Sequence, residues 1–282
     1  MKTAVVLGTF DGLHKGHRAV IEAAGGFYTV AVTFGIPPKA VLSGELKLLM
    51  TMEDKAAGLK ALGVNEIYSL DFSKVCNISP GDFLLHITEK FSPSLIVCGF
   101  NYRFGKDAAG DTGTLSSFCK RHGIDLKIAE SVGGDKPVSS SALRALIAKG
   151  DTAAANEQIY GGFGFSSPVL HGDCRGRVLG FPTVNQEFPA ELTVPKFGVY
   201  ASKVIIDGRE YESITNLGVR PTYKTDFTGC ETFIKDFTGD IYGKTVTLKL
   251  LRFVRPERKF SSRRELENTV KADIKSVLGV EI

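Results

Sequence analysis

Two histidines stand three residues apart in the segment GTFDGLHKGH (residues 8–17). An apolar run precedes this segment and a helical pattern follows it, so His14 and His17 are predicted to share one face at the start of a helix. The free amides and the dipole of a helix N-terminus attract phosphate. Imidazoles at that end can donate hydrogen bonds to phosphate oxygens and stabilise negative charge that develops there. Gly16 lets a ligand approach the backbone closely.

The segment GFPTVN (180–185) contains a second pair of useful side chains. Gly180 and Pro182 bend the chain, and in an extended segment Thr183 and Asn185 face the same side. A hydroxyl and an amide oxygen at this spacing can hold a hydrated Mg²⁺ or a phosphate oxygen, because magnesium takes few protein ligands and completes its octahedron with water and phosphate. Taken alone, the segment is also compatible with a simple turn.

Other common phosphate and metal sites do not match the sequence. There is no G-x-x-x-x-G-K-[ST] loop and no G-x-G-x-x-G fingerprint. A zinc site would need a third ligand, and His86 and His122 lie in predicted helices without a cluster of ligands. The histidine pair is therefore interpreted as a phosphate site.

The first half of the chain alternates apolar strands with helices. Capping-box spacing at Thr51–Asp54 and the pair Ser79-Pro80 predict two helix starts. Such alternation predicts a parallel sheet with helices on both faces. The predicted strands are 4–10, 28–34, 94–100 and 125–131, and the predicted helices are 14–24, 51–62, 79–91, 113–122 and 140–149.

The second half has closely spaced strands with few helices between them. Turn signals at Asp207-Gly208 and Gly239-Asp240 separate them, which predicts an antiparallel sheet or small barrel. The glycine- and serine-rich stretch 161–167 marks a boundary, giving domains over 1–158 and 159–282. The predicted strands are 199–207, 211–218, 231–237 and 245–254, followed by a helix over 262–278.

Length and composition favour a two-domain globular protein. The chain has 282 residues, of which 43% are hydrophobic and 23% charged. No apolar run reaches the roughly 18 residues that span a bilayer, and the N-terminus fits a first strand better than a signal peptide. The 5 cysteines never form C-x-x-C, which argues against a disulfide scaffold or a zinc ribbon. We expect a protein of the reducing cytoplasm.

The formal net charge of +4 does not call for a nucleic-acid partner. One stretch, residues 249–264, holds seven basic residues and one acid. It fits a solvated face around buried Leu250, Phe253 and Phe260. It also fits a surface for an anionic partner, either phosphates of a small ligand or RNA.

The segment GTFDGLHKGH resembles the H-x-G-H motif of the nucleotidylyltransferase superfamily. Its sequence is most similar to that of the prokaryotic bifunctional riboflavin kinase/FMN adenylyltransferases. CGFNYRFG (98–105) is similar to that family's G-x-[DN]-F-x-F-G segment. VSSSALR (138–144) resembles its I-S-S-T-x-I-R motif, which binds ATP phosphates at a helix start. The resemblance implies an adenylyltransferase with His14 and His17 in catalysis and ATP or phosphate contacts from Gly8, Thr9, Phe10, Asp11, Gly16, Asn101, Ser139, Ser140, Ser141 and Arg144.

Segments of the second half resemble the kinase motifs of the same family. GFPTVN is similar to G-[FY]-P-T-A-N, and ETFIKDF (231–237) is similar to E-x-H-I-x-D-F, in which the glutamate is the catalytic base. Residues 172–177 resemble a glycine- and arginine-rich flap, while 195–200 and 216–222 resemble P-x-x-G-V-Y and N-[IL]-G-x-R-P-T. The resemblance implies Glu231 as base, Mg²⁺ on Thr183 and Asn185 partly through water and phosphate, and ATP or flavin contacts from Gly172, Arg175, Gly180, Pro182, Thr183, Asn185, Asn216 and Arg220.

The chain departs from the family pattern in three places. Ile36-Pro37-Pro38 stands where the family has P-H-P, Phe233 stands where it has a histidine, and 159–163 replaces an L-G-R-P-Y-like linker. We expect the change at Pro37 to affect the rate of adenylyl transfer and the change at Phe233 to affect the rate of the kinase reaction.

The resemblance implies phosphorylation of riboflavin to FMN with Mg-ATP, followed by transfer of AMP from a second ATP to give FAD and pyrophosphate. We expect small-molecule substrates, no nucleic acid, no membrane, and a monomer or weak homo-oligomer. Two alternatives stay open: an enzyme that keeps only one activity, and a flavin- or RNA-binding regulator without turnover.

Overall fold

The computed structural model describes residues 2–44, 47–133, 138–172, 180–220 and 227–280. The chain divides into two compact units. Unit 1 comprises Met1–Leu143 and Gln158–Gly161, and unit 2 comprises Arg144–Glu157 and Gly162–Ile282. No helix within the described ranges combines the length and apolarity needed to cross a bilayer.

Unit 1 is built on a parallel sheet, as the alternating pattern predicted. All neighbouring strands pair in parallel, in the order β3-β2-β1-β4-β5. The chain adds β2 and β3 on one side of β1, and it then crosses back and adds β4 and β5 on the other side. The direction in which strands are added therefore reverses between β1 and β4. The strands are β1 (Thr3–Leu7), β2 (Tyr28–Phe34), β3 (Glu66–Leu70), β4 (Leu95–Gly99) and β5 (Asp125–Ala129).

Helices cover both faces of this sheet because β1 alternates its side chains between two apolar clusters. Val5 and Leu7 pack with one cluster, and Ala4 and Val6 pack with the other. The predicted caps are confirmed, since the Thr51 and Ser79 side chains accept from backbone amides of the first turn. The helices are α1 (Lys15–Glu22), α2 (Pro38–Ser43), α3 (Met52–Ala61), α4 (Phe72–Val75), α5 (Pro80–Phe91) and α6 (Thr112–His122), with a 3-10 turn over Lys106–Ala108; α7 (Ser140–Lys149) begins in unit 1 and continues into unit 2 at Arg144.

The first strand is shorter than predicted. It ends at Leu7 instead of residue 10, because the chain enters a turn with left-handed backbone at Phe10, Gly12 and Leu13 (φ 51°, 88° and 39°). Left-handed backbone cannot continue a strand, so this turn redirects the chain into α1.

Unit 2 contains the predicted antiparallel sheet, in the order β6-β11-β8-β9-β10-β7. The sheet curls, and its two edge strands approach each other where the Gln186 side chain donates to the carbonyl oxygens of Ser167 (3.0 Å) and Val246 (3.1 Å). β6 and β7 had not been predicted. The strands are β6 (Gly164–Pro168), β7 (Thr183–Glu187), β8 (Gly198–Ile206), β9 (Arg209–Arg220), β10 (Phe227–Ile234) and β11 (Thr245–Pro256), with helices α8 (Thr152–Asn156) and α9 (Arg263–Leu278).

The two faces of the curled sheet differ in chemistry. The inner face carries buried hydroxyls that bond to one another: Ser202 bonds to Ser213 (2.7 Å) and to Thr215 (2.8 Å), and Thr215 bonds to Thr232 (2.9 Å). The outer face is the one on which α9 packs, and its members alternate with the inner ones along each strand. The apolar contact with α9 consists of Phe181, Val199, Ile214, Ile274 and Leu278.

The segment that precedes β6 is tied to β11 by one side chain. The Asn156 amide nitrogen donates to the carbonyl oxygens of Leu250 (2.9 Å) and Leu251 (3.2 Å), and its oxygen accepts from the Phe163 backbone amide (2.7 Å). These three bonds attach residues 152–156 to unit 2.

Within the basic stretch 249–264, several arginines are paired with acids of the C-terminal helix. Arg255 forms a bidentate contact with Asp273, Arg258 contacts Glu265, and Arg263 contacts Glu267. These pairs neutralise part of the stretch, which favours the interpretation of a solvated face.

We predict that Gly164→Ala destabilises unit 2. The Gly164 Cα lies against the backbone of β11, and an added Cβ would collide with the Leu248 carbonyl oxygen. Overpacking of this kind costs roughly 1–3 kcal/mol. Thermal unfolding by circular dichroism measures the effect.

Gly81→Ala is the matched control. Gly81 lies in α5, and an added Cβ would lie 3.8 Å from the Ser79 hydroxyl, at ordinary van der Waals distance. Alanine in a helix gains up to about 1 kcal/mol over glycine. Equal thermal stability of the two variants would contradict the close approach of β6 and β11.

Candidate active sites

The first candidate site lies at the carboxyl ends of β1 and β4. The turn 8–14 follows β1, and Asn101 follows β4 by two residues with its side chain exposed. Strand order reverses between these two strands. In open parallel sheets, ligands bind at such a point because the connections leave in opposite directions and open a crevice.

His14 and His17 form a preorganised pair in this turn. His14 is the N-cap of α1, and its Nδ1 accepts from the backbone amide of His17 (3.4 Å). The two rings stack with centroids 3.7 Å apart, and Phe10 packs edge-on against His17 (5.4 Å). Because Nδ1 of His14 is the acceptor, the neutral ring carries its proton on Nε2. Nδ1 of His17 is buried and has no hydrogen-bond partner among the described residues.

Burial keeps both imidazoles neutral at pH 7. It lowers the pKa of His14 to about 4. It also lowers the pKa of His17 well below its ordinary value, and the nearby His14 and Lys55 lower it further. The pair can therefore donate hydrogen bonds to phosphate but does not carry positive charge.

Asp11 joins the histidine turn to two other segments. Its carboxylate accepts from the Leu49 amide (2.9 Å), and its carbonyl accepts from the Ser140 hydroxyl (2.9 Å). The structure thus brings together two motifs about 130 residues apart in sequence. Ser139 accepts from the Ala142 amide (3.3 Å) as a cap for α7.

The remaining predicted residues of this site occupy defined positions. Ser141 lies exposed in the first turn of α7, and Arg144 lies one turn after Ser140 on the same helix. A Cβ added at Gly8 would lie 2.9 Å from the Phe10 ring, which would have to move, and a Cβ added at Gly16 would lie 3.2 Å from the His14 ring.

The second candidate site is a row of polar side chains across three strands of unit 2. Glu231 on β10 is the register partner of Asn185 on β7 and of Asn216 on β9. Directly opposed residues in an antiparallel pair project to the same face, with Cβ atoms about 5 Å apart. The register therefore places Asn185, Glu231 and Asn216 side by side on the outer face, and Thr183 lies opposite Phe233.

Asn185 provides an oxygen that lacks a partner. Its Oδ1 is buried without a hydrogen-bond partner among the described residues. Its side chain lies against Gly172, where an added Cβ would collide with the amide group. Gly180 has left-handed backbone (φ 86°) and Phe181 is buried, so the chain bends before Pro182 and enters β7 at Thr183.

Thr183 and Asn185 fit a magnesium ion as ligands. They present a hydroxyl and an amide oxygen, which are the hard donors that Mg²⁺ prefers, and the Asn185 oxygen accepts no hydrogen bond from the described part of the chain. The described residues contain no group of three or more His, Cys, Asp or Glu side chains that could hold a metal.

Phe233 belongs to the packing of α9. It contacts the apolar cluster that includes Ile214, Ile274 and Leu278. The position where the family has histidine is thus filled by a ring that anchors the helix to the outer face.

Part of the predicted kinase site lies outside the described residues. This applies to Arg175 with most of the flap 172–177, and to Pro221 and Thr222 of the 216–222 segment. Arg220 ends β9, but its side chain also lies outside the described part.

Two side chains near the sites were missed by the sequence analysis. Lys55 donates to the carbonyl oxygens of Phe34 (2.6 Å) and Thr9 (3.4 Å) beside the histidine turn. Its spacing of four from buried Leu59 could have placed it on the inner face of α3. The Glu257 carboxylate lies against Gly218 on the outer face, in the space that a Cβ would fill, and no local pattern signals that contact.

Family models match both halves of the chain. A model described as FAD synthetase matches residues 1–142, and one described as riboflavin kinase matches residues 162–280. A solved structure named a macrolide-efflux protein from Streptococcus pneumoniae has the same fold, with a TM-score of 0.88 and 29% identity over 99% of this chain and 95% of that one.

Curated relatives match over nearly the full length. The bifunctional riboflavin kinase/FMN adenylyltransferase of Listeria monocytogenes is 34% identical over 91% of this chain and 85% of its own length. The protein of the same description from Bacillus subtilis is 30% identical over 96% of this chain and 90% of its own length. The chain therefore belongs to the family of bifunctional riboflavin kinases/FMN adenylyltransferases.

Proposed function

We propose that this chain phosphorylates riboflavin to FMN with ATP and then adenylylates FMN to FAD with a second ATP, releasing pyrophosphate. Both activities are those of its family, and the relatives match both halves. The observation that carries the proposal is that each half retains its own set of polar residues, the histidine turn in unit 1 and the row Asn185–Glu231–Asn216 in unit 2. We assign adenylyl transfer to 1–158 and the kinase to 159–282.

In the kinase, Glu231 accepts the proton of the ribityl 5′-hydroxyl as that oxygen attacks the γ-phosphorus of ATP, while the bond from the γ-phosphorus to the β,γ-bridging oxygen breaks and ADP leaves. A primary alcohol must lose this proton to become a competent nucleophile. Asn185 and Asn216 lie on the two strands beside Glu231, directly opposite it in the register, and place an amide side chain on each side of its carboxylate. Thr183 and Asn185 hold Mg²⁺, which when bound neutralises charge on the transferring phosphate. Gly172, Arg175, Gly180, Pro182 and Arg220 surround the nucleotide or flavin.

In adenylyl transfer, the FMN phosphate is already ionised and needs no strong base. Its oxygen attacks the α-phosphorus of ATP, and the bond to the β-phosphate breaks. His14 and His17 donate hydrogen bonds to the charge that grows on the departing pyrophosphate. The N-terminal dipoles of α1 and α7 favour the negative charge of the phosphates, and the side chains of Asn101, Ser139, Ser141 and Arg144 contact the other phosphate oxygens.

We further propose that the protein acts in the cytoplasm on small molecules, without nucleic acid, as a monomer or weak homo-oligomer. The cysteines Cys76, Cys98 and Cys119 are free thiols, which suits a reducing compartment. Ion pairs that neutralise part of the basic stretch weaken the case for an RNA partner.

Incubation with riboflavin, ATP and Mg²⁺, followed by chromatography of riboflavin, FMN and FAD, tests the proposal directly. Formation of FMN that is then converted to FAD is the expected result. FMN without FAD would identify a single-activity kinase, and flavin binding without any product would identify a regulator.

Glu231→Gln should abolish FMN formation and leave conversion of added FMN to FAD near the wild-type rate. The amide keeps the size of the side chain but cannot accept the substrate proton. Both half-reactions are measured on the same purified protein. Glu210→Gln is the control, because Glu210 forms an exposed ion pair with Lys203 (2.8 Å) away from the row. A near-normal kinase rate in Glu231→Gln would remove Glu231 as the base.

The double variant His14→Ala/His17→Ala should stop FAD formation while FMN accumulates. Loss of a donor aimed at developing charge costs about a hundred- to a thousandfold in kcat. Loss of ATP affinity alone would instead raise KM, so the rates are measured at saturating ATP. His122→Ala, an exposed histidine of α6, is the control. A folded double variant with wild-type kcat would contradict the role of the pair.

Phe233→His, which installs the family residue, should lower stability without raising the kinase rate. The partly buried ring packs on the α9 cluster, and replacing it with an imidazole removes part of this apolar contact, which typically costs about 0.5–3 kcal/mol. Chemical denaturation and the kinase assay measure the two effects. A faster kinase at unchanged stability would show that Phe233 had weakened the wild-type site.

A further inference from the structure

Helix α3 carries a buried lysine that belongs to none of the motifs. Lys55 is only 3% exposed. Lysine is almost never buried so completely unless its charge is compensated, because removing an ammonium group from water is costly. Its burial therefore needs a reason beyond packing.

The Lys55 ammonium group bridges the ends of two adjacent strands. It donates to the carbonyl of Phe34, the last residue of β2 (2.6 Å), and to the carbonyl of Thr9, which follows the end of β1 (3.4 Å). The Thr9 carbonyl also accepts from the Thr33 hydroxyl (2.9 Å). Thr9 directly precedes the left-handed Phe10, so the lysine fixes the residue from which the histidine turn departs.

Two of the three ammonium donors are used by these carbonyls. Within the described residues the lysine makes no direct ion pair, although Asp11 lies near enough to favour its charged form. Burial lowers the pKa of Lys55 to about 8, so the ammonium form still predominates at pH 7. The positive charge of Lys55 also disfavours protonation of His17 and so helps to lower the pKa of that imidazole.

The charge matters because the neighbouring histidines are neutral. His14 and His17 bring hydrogen-bond donors to the turn but no positive charge. Carbonyl oxygens at strand ends repel phosphate, and here two of them are bound by the same cation. Lys55 thus both binds these carbonyls and adds a positive charge to the histidine turn.

We propose that Lys55 is a positioning residue for adenylyl transfer, which fixes the Thr9–Phe10 backbone and supplies the buried positive charge behind the phosphate-binding turn. The inference rests on the proposed adenylyl transfer by unit 1. It concerns the polyphosphate part of the substrate, whose charge is largest when pyrophosphate leaves.

The test uses the full chain with Lys55→Met, Lys55→Arg and, as matched control, Lys60→Met, an exposed lysine of the same helix. Lys55→Met should lower kcat for FAD formation at least 30-fold, while the kinase rate in the same sample stays unchanged. Lys55→Arg keeps the charge and should stay within about fivefold of wild type, because guanidinium remains protonated. Lys60→Met should match wild type.

The pH profile separates this role from a merely structural one. Wild-type FAD formation should decline at or above pH 8 as Lys55 loses its proton, and Lys55→Arg should lose this decline. Among the described residues, the titratable groups that act on Lys55 or respond to it are Asp11 and His17. A carboxyl group and an imidazole of lowered pKa do not change charge between pH 7 and 10, so they do not produce the decline.

A second readout does not depend on turnover. Calorimetric titration with inorganic pyrophosphate and Mg²⁺ at pH 7 should show binding at least tenfold weaker in Lys55→Met and nearly unchanged in Lys55→Arg. If wild-type protein forms no FAD, the proposed reaction fails, and this titration alone decides the role of Lys55. If Lys55→Met does not fold, the Lys55→Arg titration and pH profile decide it.

The proposal is overturned by any of three results. The first is a folded Lys55→Met variant with wild-type kcat and wild-type pyrophosphate affinity. The second is an equal loss of FAD formation in Lys55→Met and Lys55→Arg with an unchanged pH profile. The third is a rate of FAD formation by the wild-type protein that stays constant up to pH 10.

Discussion

The turn that ends β1 is the feature on which unit 1 depends. The backbone is left-handed at Phe10, Gly12 and Leu13, so the strand ends at Leu7 and the chain turns. The turn places His14 at the N-cap of α1. Conformations of this kind cost energy in residues other than glycine and persist only where the surroundings hold them. Here Phe10 and Leu13 are fully buried, and the carboxylate of Asp11 bonds to the Leu49 amide. The apolar core of unit 1 thus fixes the backbone of the site.

Unit 2 solves a different problem, because its polar residues come from strands far apart in sequence. Antiparallel pairing of β7, β10 and β9 places Asn185, Glu231 and Asn216 in one row. A shift of β10 by one residue would send Glu231 to the inner face, beside the buried hydroxyls of Ser213 and Thr215, and would turn Thr232 outward. The packing of α9 on Ile214 and Phe233 holds the outer face apolar on one side of this row. The register and the helix together specify which face carries the chemistry.

The two units also differ in how they treat charge. Unit 1 buries its imidazoles, which lowers their pKa and leaves them as neutral donors. Unit 2 offers a carboxylate, amides and a hydroxyl, the donor set that suits a hydrated divalent cation and a proton acceptor. A neutral donor at a helix N-terminus suits a reaction in which the nucleophile is already ionised, whereas a hydroxyl nucleophile needs a base.

The sequence by itself determined the two sheet types, most of the longer strands and helices, and the motif residues. Periodicity identifies apolar strands and capped helices because it reflects local packing, and Ser79 and Thr51 cap the predicted helices. Local patterns were weaker for the short edge strands β6 and β7 and for the end of β1, where a turn overrode the apolar run. Only the tertiary structure brought Ser140 to the carbonyl of Asp11 and Glu231 between two asparagines, since these contacts join distant segments. The histidines are neutral only because the fold buries them, since the pKa of a side chain depends on the water that the fold removes from it. The contact of the Lys55 ammonium group with the ends of two strands likewise exists only in the folded chain.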